Sequence, residues 1–139
     1  MAASKRWTLA LAGSLVFALG GPAWACRCRE PAPRQAYSQA QAVILAEVEG
    51  VEPAPEQSVI YTLRVNEAWK TPVGDRVRVR SGSTCIFQAD VGRSYVLFLR
   101  PYVPGMLQTS VCMGNRPVEE AGATLRLLRS TGREGGRSR

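Results

Sequence analysis

The chain has 139 residues, 18 lysines and arginines against 11 aspartates and glutamates, four cysteines and no histidine. Without histidine there are no Ser-His or Cys-His nucleophile systems and few zinc sites to consider. The length suits one domain with a modest core, and there is no internal repeat or low-complexity tract.

The opening segment, residues 1–25, has three parts. Lys5 and Arg6 give a positive start, and Leu9 to Leu19 is an apolar run. Gly20, Gly21 and Pro22 follow, then Ala23-Trp24-Ala25. This is the pattern of a secretory signal cut after Ala25. The apolar run is too short to cross about 30 Å of hydrocarbon as an anchor. Lipidation of Cys26 is disfavoured, because Ala23 and Trp24 stand where a lipoprotein signal wants leucine and a small residue. It would also leave an odd number of cysteines. The expectation is a secreted or periplasmic protein starting at Cys26, without a membrane span. Removing Lys5 and Arg6 leaves 16 bases against 11 acids, or +5. Six arginines lie from Arg116 onward, so the body of the domain is nearly neutral.

The predicted elements follow in order. Pro33 to Gln41 suits a short helix with Pro33 in its first turn. Ala42 to Val51 is β-rich and is ended by Gly50 and the stretch EPAPEQ. Ser58 to Lys70 alternates over Ile60 to Val65, before a turn at TPVGD. Arg76 to Arg80 alternates strictly, placing Val77 and Val79 on one face and Arg76, Arg78 and Arg80 on the other. Arg93 to Pro101 is an almost continuous apolar run, and Leu107 to Cys112 is a fifth short strand. Arg116 to Ser130 reads as a helix: Pro117, Glu119 and Glu120 suit its start. Val118, Ala121, Leu125 and Leu128 form its apolar face. Residues 131–139 are polar and glycine-rich and read as a disordered basic tail. Five short strands in a domain of residues 26–130 predict a mainly β fold: a five-stranded OB-type barrel with a short N-terminal helix and a C-terminal helix.

The cysteines Cys26, Cys28, Cys85 and Cys112 read as two disulfides in an oxidising compartment. A Cys26–Cys28 bridge would close a strained ring. Each of the two therefore reaches forward, one to Cys85 and one to Cys112, which leaves two pairings open. Each bridge is worth about 4 kcal/mol in the chain-entropy model.

The order of these features resembles the tissue inhibitors of metalloproteinases (TIMPs) and the wider netrin-like module. The mature chain starts Cys-x-Cys. Pro31, Pro33, Gln35, Ala36 and Tyr37 match a Pro-rich stretch and first helix, and AVILAEVEG matches an apolar first strand. Trp69-Lys70 matches an aromatic-Lys pair closing the second strand. Cys85 falls in the loop after the third strand, YVLFL matches an apolar strand, and TSVC ends a strand at Cys112. The resemblance spans about Cys26 to Leu128 and corresponds to the N-terminal-type domain of those inhibitors. It departs from them at the first helix, where Ser38 or a neighbour replaces a cysteine whose C-terminal partner is also absent.

The resemblance implies pairing of Cys26 with Cys85 and of Cys28 with Cys112. It also implies that the α-amine and carbonyl of Cys26 chelate the zinc of a target protease, with Arg27 directed into the neighbouring specificity pocket. A free α-amine has a pKa near 8, so zinc can displace its proton near neutral pH. In the inhibitors the residue at the place of Arg27 is usually small or uncharged. An unpaired guanidinium in an apolar pocket costs several kcal/mol, so either Arg27 meets an acidic pocket or the chain does not inhibit proteases of the familiar type. The second reading is a non-inhibitory netrin-like module of the cell envelope that contacts protein or an anionic glycan. Arg76, Arg78 and Arg80, with Arg64 nearby, would supply a basic patch for such a glycan, against the plainer reading of a solvated strand face. Secretion and the lack of an aromatic stacking pair argue against nucleic acid. Neither a spaced carboxylate pair nor a phosphate loop is recognisable. The expected protein is thus a monomeric non-enzyme, with no cofactor and no metal of its own.

Overall fold

A computed structural model describes residues 26–82 and 85–135 of the chain. The expected signal segment, with its cut after Ala25, lies outside these residues.

Five strands close a mixed barrel: β1 (Ala42–Ala54), β2 (Ser58–Trp69), β3 (Arg76–Ser81), β4 (Ser94–Val103) and β5 (Met106–Thr109). Their order is β1-β2-β3-β5-β4, and β4 returns to pair with β1. β3 and β5 run parallel, while the other neighbours are antiparallel. This is the expected OB-type barrel. Helix α1 (Pro33–Gln39) precedes it and helix α2 (Gly122–Gly135) follows it. A two-residue strand, β6 (Arg116–Pro117), pairs with Tyr95 and Val96 of β4.

The hydrophobic pattern explains this layering. Ile44, Val48, Leu63, Val79, Leu97 and Leu99 fill the barrel interior. Val43, Leu45, Val96 and Phe98 point the other way and pack under Ala36, Ala40, Ala121, Leu125 and Leu128 of the helical layer. β1 over residues 42–46 and β4 over residues 95–99 are therefore covered on both faces, which is why these stretches are unbroken apolar runs. β3 has one face inside, so it alternates. Full burial of each large aliphatic or aromatic side chain contributes about 1.5–3 kcal/mol.

Several boundaries differ from expectation. β1 continues past Gly50 to Ala54, and the turn falls at 55–57 with Glu56 and Gln57 at φ 61° and 55°. The β4 pairing covers only Ala42 to Glu47, so beyond it β1 has β2 alone as neighbour. Pro53 then stands on an edge, where its missing N–H is tolerated. α1 stops at Gln39, two residues short. β5 stops at Thr109, and Cys112 lies in a 3-10 turn, Val111–Met113, whose start is capped by Ser110 Oγ accepting from the Cys112 N–H. The segment expected as one helix from Arg116 starts extended, because it pairs with β4, and α2 begins only at Gly122. α2 then runs to Gly135, into the segment expected to be a disordered tail. Thr131 Oγ1 donates to the Leu127 carbonyl in this extension. A Cβ on Gly132 would stand 3.6 Å from Trp69 Cδ1, so the added turn rests on that ring.

Candidate functional site

The segment before α1 crosses one end of the barrel. Cys26 is bonded to Cys85 and Cys28 to Cys112. This is the pairing that the family resemblance implies. The two bridges lie side by side, with Cys26 Sγ 3.6 Å from Cys112 Sγ. The sulfurs of Cys26, Cys28 and Cys112 consequently fall within 4.8 Å of one another. All three are committed to disulfides, and bonded sulfur lacks the thiolate that makes cysteine a metal ligand. Arg27, Cys28 and Arg29 are exposed and Cys26 is half-buried. Glu30 accepts an ion pair from Arg116 at 2.9 Å. Arg27 has no ion-pair partner among the described residues. The result is a short ridge, fixed at alternate residues, with a free guanidinium between the fixed points.

Both anchor loops are tied to the barrel by side chains. Tyr61 Oη donates to the Phe87 carbonyl at 2.8 Å and accepts from the Ala89 N–H at 3.0 Å. Ser81 Oγ accepts from the Phe87 N–H at 2.8 Å, and Tyr95 Oη accepts from the Asp90 N–H at 2.9 Å. These bonds hold the loop that carries Cys85, and the Val111 N–H donates to the Cys85 carbonyl. Burial pushes the Tyr61 phenol above its ordinary value of 10.0.

On the other side, Asn115 holds the Cys112 turn. Its Oδ1 accepts from the Phe98 N–H at 2.8 Å, and its Nδ2 donates to Thr109 Oγ1 at 2.7 Å and to the Ser110 carbonyl at 2.9 Å. Thr109 Oγ1 in turn donates to the Phe98 carbonyl. Two side chains thus stand in for a strand where β4 has left β5 and not yet met β6. Gly114 completes the turn at φ 92°, and a Cβ there would lie 3.1 Å from that of Ala36. Sequence reading missed Tyr61, Thr109 and Asn115 as positioning residues. The one available signal was the cluster of polar residues around Cys112.

Three of the four arginines expected as a basic patch are paired with carboxylates. Arg64 pairs with Glu47 at 2.7 Å, Arg76 with Glu49 at 2.9 Å, and Arg78 with Glu52. All three carboxylates come from β1, so the outer face of β1–β3 is a ladder of paired charges. The hydrogen bond from Arg76 holds the Glu49 carboxyl below its ordinary value of 4.5. Such exposed pairs add little stability, but each sets a negative charge beside the positive one that a polyanion would meet. Arg80 departs from the row: it is buried, and it stacks at 4.5 Å on the Tyr102 ring.

No protein-family model and no curated protein sequence matches this chain. Among the described residues no helix is long and apolar enough to cross a membrane. The two disulfides fit an extracytoplasmic compartment, where such bonds persist.

Proposed function

We propose that the chain is a TIMP-like or netrin-like module, processed after Ala25, whose N-terminal ridge binds the active site of an extracytoplasmic zinc metalloprotease. The observation that carries this reading is the ridge itself. Arg27 stands exposed between two cysteines bonded to separate parts of the barrel. A segment already ordered loses little conformational freedom on binding, which favours its use as an inhibitory contact. After processing, the Cys26 amine and carbonyl would lie next to the first bridge and serve as a bidentate ligand for a zinc with an open position. Arg27 would enter the adjoining pocket, and its charge calls for an acidic residue there. The charge on Arg27 also favours a second reading, in which the same ridge docks on an acidic protein surface without engaging zinc. The glycan reading of Arg64, Arg76 and Arg78 is weakened by their pairing with Glu47, Glu49 and Glu52.

The test is one added alanine before Cys26 in the mature protein. The insertion moves the amine away from the chelating carbonyl while both disulfides still form. Inhibition of a zinc protease should vanish with an unchanged thermal midpoint. Arg27→Thr should shift inhibition from enzymes with acidic pockets to enzymes with apolar ones. If neither the parent nor Arg27→Thr inhibits any member of such a panel at micromolar concentration, the zinc reading is wrong.

A further inference from the structure

Alternation along β3 puts Arg80 on the outer face with Arg76 and Arg78, yet its surroundings differ. Strand register sets it in a cross-strand row: Arg80 of β3 faces Gln108 of β5, and Gln108 faces Arg100 of β4. This row lies in a cleft of about 410 Å³ lined by Arg80, Gly82, Cys85, Arg100, Gln108 and Cys112, among others. Among the described residues that line it, none is acidic. Two arginines therefore line one concavity beside both disulfides.

Arg80 is only 9% exposed. A guanidinium taken out of water normally recovers its hydration through hydrogen bonds to carboxylate or carbonyl oxygens. Here the contacts are a stack on the Tyr102 ring and an approach of Nη2 to Glu56 Oε2 at 3.9 Å, beyond hydrogen-bond length. Glu56 is itself 84% exposed, on the β1–β2 turn, so it is a loose counterion. Arg100 spends one N–H on Gln39 Oε1 at 3.3 Å, a neutral acceptor. Gln108 turns its Nε2 to the Pro101 carbonyl, and Thr109 Oγ1 donates to the Phe98 carbonyl and accepts from Asn115 Nδ2.

The space for Arg80 is built into the backbone. A Cβ on Gly82 would fall 2.7 Å from Arg80 Cζ, 2.8 Å from Arg80 Nη1 and 2.4 Å from the Ser58 Cβ. No side chain larger than hydrogen fits there without displacing the guanidinium. The site thus consists of a preformed donor fork held by a ring and a glycine, and a second fork at its rim.

We propose that this cleft is an anion site, which takes one oxyanion group, a sulfate or carboxylate, between Arg80 and Arg100. Planar forks bind such groups through paired N–H donors, and a donor that is already buried and fixed loses little freedom on binding. Arg80 is the fixed donor and Arg100 closes over the ligand, while Glu56, outside the cleft, is only a loose counterion to Arg80. This site adjoins the bridges that hold the ridge but does not depend on the protease reading.

The experiment uses the oxidised mature protein, titrated with sodium sulfate and separately with sodium acetate at constant ionic strength set by chloride. The probes are calorimetry and the side-chain NMR signals of Arg80 and Arg100. Sulfate or acetate should shift both arginine signals saturably, and the stronger ligand identifies the class of anion. Glu56→Gln should tighten binding by about threefold, the worth of a partly exposed ion pair. Arg100→Gln, a change at an exposed residue that should leave the fold intact, should weaken binding by about tenfold, as expected for loss of a charge-assisted donor. Gly82→Ala should abolish the Arg80 response. Linear, unsaturable shifts equal to those in chloride would overturn the proposal. So would affinity unchanged in both Glu56→Gln and Arg100→Gln, which would mark Arg80 as a purely structural group.

Discussion

At the scale of single residues, the site depends on polar groups that satisfy backbone rather than on the ridge side chains themselves. Tyr61 is the clearest case. Its hydroxyl serves the Phe87 carbonyl and the Ala89 N–H together, while its ring lies in the barrel core. Tyr61→Phe leaves both backbone groups short of a partner and should cost about 1–2 kcal/mol. The pH dependence has a definite sign. Burial raises the folded phenol above 10.0, so the unfolded chain loses this proton first. Between the two values the native state binds more protons, and stability falls as pH rises. The contribution is fully present below 10.0 and is lost above it. Denaturant midpoints across that range should show the gap between parent and Tyr61→Phe narrowing in alkali. A gap that stays constant would mean that the phenol titrates as an exposed one.

At the scale of elements, Lys70 links the two layers of the fold. It leaves β2 at φ 72° and donates Nζ to the carbonyls of Tyr37 and Ala40, at the end of α1. Its ammonium also lies 4.9 Å from the Tyr37 ring centre. A cation at a helix C-terminus satisfies orphan carbonyls and complements the dipole. This is the physical reason that α1 ends where it does, and it gives the Trp69-Lys70 pair a role. Lys70→Met should cost about 1–2 kcal/mol, because charge-assisted hydrogen bonds to backbone are lost. Hydrogen exchange at the Ala40 amide, which donates to the Ala36 carbonyl, should quicken while β1 and β4 stay protected. Unchanged exchange would place the ammonium in solvent. The strands were readable from sequence because hydrophobic period reports which faces are covered: the apolar runs at residues 42–46 of β1 and 95–99 of β4 and the alternation of β3 are direct consequences of layering. The rest depended on distant partners. Pro53 reads locally as a stop, and only the retreat of β4 makes it an edge residue. Asn115 works across 17 residues of chain to Phe98, a register that no local pattern contains. Arg80 shares the period of Arg76 and Arg78, and its burial comes from residues that line its cleft on other elements.

At the scale of the whole molecule, the two disulfides convert the segment before α1 into part of the barrel. Their sequence separations are 59 and 84 residues. In the chain-entropy model each contributes about 4–5 kcal/mol, comparable with the net stability of a domain of this size. The barrel has its own closed core, and the Cys85 loop and Cys112 turn keep their ties to Tyr61, Ser81, Tyr95 and Asn115. Replacing Cys26 and Cys85 together by serine should therefore lower the denaturant midpoint steeply yet leave a folded barrel in the cold. The ridge should respond differently from the core. Held by both bridges, Arg27 and Arg29 are exposed but cannot adopt the extended, mobile form that a protease active site requires. Trypsin should spare these two positions in the oxidised mature protein. It should cut there rapidly in the Cys26→Ser/Cys85→Ser variant, under conditions where circular dichroism still reports an intact sheet. Mass spectrometry after reduction, which frees the fragment that Cys28–Cys112 still holds, measures this directly. Cleavage of the parent at the same rate as the variant would show that the ridge is not rigid, and the preorganised contact on which the inhibitory reading rests would be lost with it.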